Sequence, residues 1–141
     1  MTEAQTFTFE LVSPERKLMA EPATMVVIPG EEGDFGVLPN HSATVASLRP
    51  GVVLFFGEGQ EQPVKIFIAG GFADVTATNC TILAEEAVKV DDLRQADLEQ
   101  SLRNLQDDLS LAANDQEKSR IGQKLALTKA KLEAVSGHIH A

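Results

Sequence analysis

The sequence predicts an all-β sandwich or flattened barrel followed by an antiparallel helical hairpin. Short runs rich in Val, Ile, Phe and Thr, closed by Pro, Gly or Asn, fill the first 87 residues. All six prolines precede Val88, as do all ten glycines except Gly122 and Gly137. Beyond that point Leu, Ala, Gln, Lys and Glu dominate, a helical composition. The expected division is therefore a β domain over 1–87 and a helical hairpin over 88–141.

The first run, Thr6 to Val12, alternates strictly, with Phe7, Phe9 and Leu11 on one side and Thr8 and Glu10 on the other. This period of two is that of a half-buried strand. Further strands are expected at Lys17–Met19, Thr24–Ile28, Gly36–Leu38, Ser42–Ser47, Val52–Phe56, Val64–Ala69, Phe72–Thr76 and Cys80–Ala84. So many short strands, with turn residues between them, read as a sandwich or flattened barrel. The turns are expected at Ser13-Pro14, Pro29–Gly36, Arg49-Pro50-Gly51, Gly57–Pro63, Gly70-Gly71 and Thr78-Asn79. Prolines 29, 39, 50 and 63 fall at strand edges, where a missing N–H does no damage.

In the tail, Leu98, Leu102, Leu105, Leu109 and Ala112 recur at spacings of four and three, which places them on one helical stripe. Ala113-Asn114-Asp115 breaks the pattern, and Asn114 with Glu117 three residues on predicts an N-cap. A second stripe follows in Ile121, Leu125, Thr128, Leu132 and Val135, with Gly137 as the stop. So short a connection forces the helices antiparallel, stripe facing stripe. Acids outnumber bases from Asp91 to Ala112 and bases outnumber acids from Asp115 to Val135, which adds weak support. Leu127, Ala130 and Ala134, with Leu93 and Leu111, lie off the seam; they read either as helix-forming filler or as a docking face.

Charge and motifs narrow the function. A net charge of -9 with only 12 Lys and Arg argues against nucleic acid. No apolar run approaches the ~20 residues of a membrane span, and MTEAQTFTFE lacks the basic start and apolar core of a signal peptide. The single cysteine, Cys80, sits in a strand pattern that predicts a buried, inert thiol and fits a reducing compartment. The stretch Gly30–His41 has glycines at every third position at its start but no Gly-Lys-Ser/Thr, so it is not a phosphate loop. On its residues it is either a solvated acidic turn or a contact loop. His41 beside Glu31, Glu32 and Asp34 is weak as a metal set, and His138 and His140 lie at the end of the sequence. Glu85-Glu86 reads as a turn or linker rather than an acid/base pair, and no nucleophile–base pairing stands out.

Four segments in order carry a family resemblance. They are Phe9-Glu10-Leu11-Val12-Ser13-Pro14, then Pro29-Gly30 through Gly33, Gly36 and Leu38-Pro39-Asn40-His41, then Gly70-Gly71-Phe72-Ala73-Asp74-Val75, and Leu83-Ala84-Glu85-Glu86-Ala87. Over essentially its whole length the chain resembles the epsilon subunits of bacterial F-type ATP synthases, called delta in mitochondria. The resemblance implies a ten-strand sandwich, no active site, and a place in the central stalk. It implies as partners the gamma subunit, the c ring of the membrane sector and, with the hairpin extended, the alpha/beta hexamer. The location implied is peripheral, at the cytoplasmic face of the bacterial inner membrane, without membrane insertion.

Carried over by position, Gly33, Asp34, Phe35 and His41 would meet the c ring, and the hairpin would act as a brake on ATP hydrolysis. Some members bind ATP as a regulatory ligand through an Ile/Leu-Asp-x-x-Arg-Ala motif. Here Asp91 and Arg94 match, but Val90 stands first and Gln95 stands where the motif ends in Ala. No cofactor or metal is implied. The rival readings are a free-standing adaptor whose two parts bind unrelated partners, and a metal-dependent enzyme built on His41.

Overall fold

The computed structural model describes residues 5–136, and the fold divides into two compact units between Lys89 and Val90. The first holds ten strands: β1 (Phe7–Val12), β2 (Lys17–Ala23), β3 (Met25–Gly30), β4 (Gly33–Val37), β5 (Thr44–Leu48), β6 (Gly51–Phe56), β7 (Val64–Ile68), β8 (Gly71–Val75), β9 (Asn79–Ala84) and β10 (Ala87–Lys89). They join in the order β10-β7-β6-β3-β5-β8-β9-β1-β2, with β4 paired to β3 alone.

The sheet must curl for its core to form. The rings of Phe9 in β1 and Phe55 in β6 have centroids 5.5 Å apart. On a flat sheet those strands, five steps apart, would be separated by about 24 Å at ~4.8 Å per strand. The fold-over brings the inward rows of both halves into one core that includes Leu11, Val26, Ile28, Val53, Ile66, Ile68, Val75 and Ile82. The halves join where Gly30 of β3 stands opposite Leu48 of β5, through Glu31 N–H to Ser47 O (2.9 Å) and Arg49 N–H to Pro29 O (3.0 Å).

Three expectations are corrected by long-range pairing. The Pro29–Gly36 loop is a tight hairpin: β4 begins at Gly33, only Glu31 and Glu32 form the turn, and Pro29 is buried within β3. Glu31 and Glu32 keep negative φ, so the left-handed torsion of the reversal falls on Gly33 (φ 138). β2 runs on to Ala23 rather than ending at Met19, because it pairs with β1 along its length. It is an edge strand, so Pro22 is tolerated there. β10 answers to no local pattern and exists because Ala87, Val88 and Lys89 pair with Ile68, Phe67 and Ile66 of β7. The ten strands agree with the number the resemblance implied.

Two of the motif segments have plain backbone reasons. His41 N–H bonds Leu38 O (3.2 Å), closing a turn with Pro39 second and Asn40 third, and Asn40 has φ 68. Pro followed by a left-handed Asn is the pattern of a type II turn. Gly71 has φ 144, and a Cβ there would lie 2.0 Å from Leu83 O on the adjoining strand.

The second unit opens with a 3-10 turn, Val90–Asp92, which lies against the second of two helices, α1 (Gln95–Ser110) and α2 (Asp115–Ser136). The helices pack on each other. Asn114 caps α2 as expected: its Oδ1 accepts Glu117 N–H (2.8 Å), while Glu117 Oε2 accepts Ala113 N–H (3.3 Å). On the predicted seam Ile121, Leu125 and Thr128 are buried, and Thr128 satisfies its hydroxyl on Lys124 O (2.9 Å). Off the seam, Ala134 is buried, Leu93, Leu127 and Ala130 are half-buried, and Leu111 is exposed. Gly137, His138 and His140 lie outside the described residues.

Replacing Gly71 with Ala is expected to cost about 3 kcal/mol or more in chemical denaturation, because a side chain there meets the neighbouring strand's backbone. Gly33→Ala, strained in torsion but with no atom within 4 Å of its Cβ, should cost about 1 kcal/mol.

Candidate functional site

Alternation along β1, β5, β8 and β9 sends one set of side chains into the core and the other outward. Three of the outward residues are large, apolar and more than half exposed: Val45 is 76% exposed, Phe72 55% and Leu83 52%. The register places Ser47, Phe72, Leu83 and Val12 side by side across these four strands, so Phe72, Leu83 and Val12 form a continuous apolar row. Lys17 ends the row on β2 and is paired to Glu10 at 2.8 Å. Val45 sits beside the row on β5, opposite Asp74. Such a row on a water-facing sheet is the mark of an interaction surface. The clue was legible in sequence: Phe72 shares its strand parity with Asp74, and Leu83 with Thr81.

The second candidate surface is the β3–β4 hairpin. Arg49, expected only as a turn residue, ties it down by donating from its guanidinium to Gly30 O and to Asp34 Oδ1. Asp34 is thus already engaged within the protein, while Glu31 and Glu32 project from the tip. Phe35 is half-buried and packs against the core. Gly33, Asp34 and Phe35 are brought together at the start of β4. His41 lies beyond the far end of that strand, which is about 13 Å from Gly33 at ~3.3 Å per residue. Its Nδ1 is 2.7 Å from Ser42 O. Gly33, Asp34 and Phe35 thus share β4, a strand with one edge unpaired among the described residues, and His41 follows the turn after it.

Asp91 lies in the 3-10 turn and Arg94 at the N-cap of α1, where it makes no side-chain cap bond; both are exposed. Among the described residues no group of three or more His, Cys, Asp or Glu is placed to hold a metal, and no helix is long and apolar enough to cross a membrane. Cys80 is fully buried, and burial, with a smaller push from Asp74, raises its thiol to about 12.

With this geometry in place, comparison with known proteins is decisive. Residues 6–90 match the model of the beta-sandwich domain of ATP synthase delta/epsilon chains, and residues 94–140 match that of the C-terminal domain of the ATP synthase epsilon chain. The protein belongs to the ATP synthase epsilon family. The epsilon chain of Rhodospirillum centenum is 43% identical over 137 residues, covering 94% of each sequence. That of Maricaulis maris is 44% identical over 130 residues, covering 92% of this chain and 96% of the relative. Among solved structures, the fold matches a chain of the Euglena gracilis mitochondrial ATP synthase OSCP/F1/c-ring assembly with TM-score 0.79 and 26% identity. That match covers 93% of this chain and 81% of the other. A chain of the Tetrahymena thermophila central stalk/c-ring structure shares the fold alone, at TM-score 0.66 and 14% identity, covering 95% and 99%. An epsilon chain is a structural and regulatory subunit and not itself catalytic.

Thiol reagents are expected to leave Cys80 untouched in the folded epsilon chain and to modify it on unfolding, as a timed labelling assay would show. Because folding raises this pKa from 9.0 to about 12, the neutral thiol's contribution is intact below pH 9 and declines as pH rises through that window. Denaturation midpoints measured across the window should fall, and Cys80→Ala should remove that part of the slope.

Proposed function

We propose that this epsilon chain is a rotor part of the central stalk of a proton-translocating F-type ATP synthase. In this reading gamma covers the outer face of β5, β8, β9 and β1, and the c ring meets Gly33, Asp34 and Phe35 of the edge strand β4 together with His41 after the turn that follows it. The subunit then sits peripherally at the cytoplasmic face of a bacterial inner membrane and helps couple proton flow to ATP synthesis. The observation that carries the reading is the uncovered apolar row of Phe72, Leu83 and Val12. Water-exposed apolar surface in a continuous row is stabilised when a partner removes it from solvent. The hairpin loop suits the other contact: it is acidic, projecting and braced by Arg49, and polar rims of this kind set orientation more than affinity.

The helical hairpin supports a braking role in which it leaves its folded form to reach the alpha/beta hexamer. α1 contains no buried residue, so little apolar area opposes its release. Two states within a few kcal/mol of each other are what such a switch requires. Asp91 and Arg94 are not assigned a regulatory ATP site, since Gln95 replaces the alanine that closes the nucleotide motif.

Phe72→Asp combined with Leu83→Asp should weaken binding to purified gamma by at least tenfold in calorimetry while leaving the fold intact, since both side chains point away from the core. Unchanged affinity would remove the stalk reading. For the brake, the protein should be cut after Lys89 rather than after Ala87, so that β10 remains paired with β7. ATP hydrolysis by the assembled complex is expected to rise several-fold with that truncation; an unchanged rate would eliminate the brake.

A further inference from the structure

The two surfaces of the proposed function lie on different halves of the doubled sheet. The apolar row runs over β5, β8, β9 and β1, whereas β4 hangs on β3, which belongs with β6, β7 and β10. In the strand order the halves meet at β3 and β5, through one paired position, Gly30 with Leu48. The segment Arg49-Pro50-Gly51 closes over that junction. Arg49 N–H bonds Pro29 O at 3.0 Å, and the Arg49 guanidinium donates to Gly30 O and to Asp34 Oδ1. A Cβ on Gly51 would lie 2.9 Å from Pro29 Cβ, so the turn rests directly on β3.

Arg49 differs from an ordinary surface base in three respects. Pro50 confines the residue before it to extended backbone, which fixes the direction in which the Arg49 side chain leaves the turn. A guanidinium is planar and offers several N–H donors in a rigid fork, so one side chain holds a main-chain carbonyl and a carboxylate at once. The pair with Asp34 is exposed, and exposed pairs add little to global stability, so its effect is local. Burial in the shared core is non-directional and resists separation of the two halves more than sliding of one past the other. Directed hydrogen bonds from the β5–β6 turn to the hairpin are what oppose sliding.

We propose that Arg49 is the positioning residue that locks the β3–β4 hairpin to the half of the sandwich carrying the apolar row, so that load applied at the edge strand β4 reaches the outer face instead of bending the hairpin. The inference rests on the stalk reading, in which the c ring meets β4 and gamma covers the row. Arg49 touches neither partner in that reading; it acts through Gly30 and Asp34.

The test compares the full-length protein with Arg49→Met, which keeps the stem and removes the donors, and with Arg49→Lys, which keeps the charge and loses the fork. In the isolated protein, Arg49→Met should speed amide exchange about fivefold or more at Glu31, whose N–H bonds Ser47 O across the junction, and leave Val53 and Ile66 in the core unchanged. In the assembled synthase in membrane vesicles, the same variant should lower proton pumping per ATP hydrolysed at least twofold, with affinity for gamma unchanged. Arg49→Lys should remain impaired in both measurements, since an ammonium lacks the planar pair of donors. Unchanged exchange at Glu31, full pumping per ATP in Arg49→Met, loss of gamma affinity in that variant, or full rescue by lysine would each overturn the proposal. Failure of the stalk reading is told apart by Phe72→Asp with Leu83→Asp: normal gamma binding there removes the stalk and the load role with it, while accelerated exchange at Glu31 still shows the lock.

Discussion

The contact of Phe9 with Phe55 across the curled sheet is what the rest of the sandwich depends on. It forces one continuous sheet to double over, so that alternate residues of nearly every strand enter a shared apolar interior. Each strand's remaining residues are then committed to the outside, whatever their chemistry, because a strand has only two faces. Phe72, Leu83 and Val12 are outward for that reason: shifting the register to bury them would expel Ala73, Ile82 and Leu11 from the core. The apolar row is a surface the fold cannot hide by itself.

A doubled-over sheet also has ends, and the treatment of those ends separates structure from interaction. β2 is an edge defended by Pro22 and by the pair of Lys17 with Glu10. β4 is braced from behind by Arg49, which holds the hairpin through a main-chain carbonyl and the Asp34 carboxylate. β5, by contrast, is paired with β8 along its length and is met on its other side by the start of the β3–β4 turn, where Glu31 N–H bonds Ser47 O. The glycines follow the same logic: Gly71 is required by the close approach of Leu83 O, whereas Gly33 serves the torsion of a tight reversal.

The helical unit is built on a different balance. Its seam is narrow, with Ile121, Leu125 and Thr128 buried on α2 but only half-buried leucines on α1. Capping by Asn114 and Glu117 fixes where the second helix begins, yet neither cap nor propensity gives a two-helix unit a large core. A rigid sandwich and a lightly held hairpin in one polypeptide suit a subunit that is both scaffold and regulator, and the family models match the two units separately.

Local patterns carried a large share of this. The alternation of Phe7, Phe9 and Leu11, the leucine stripes of α1 and α2, the Asn114 cap and the buried place of Cys80 are all written between residues close in sequence. Rotamer geometry, helix period and capping act over a few residues, so the order of amino acids alone settles them. The length of β2, the existence of β10, the conversion of Pro29–Gly36 from loop to hairpin and the clamp by Arg49 were decided by tertiary pairing. Each depends on a strand or side chain remote in sequence, and which backbone meets which is set only when the sheet curls and the core closes.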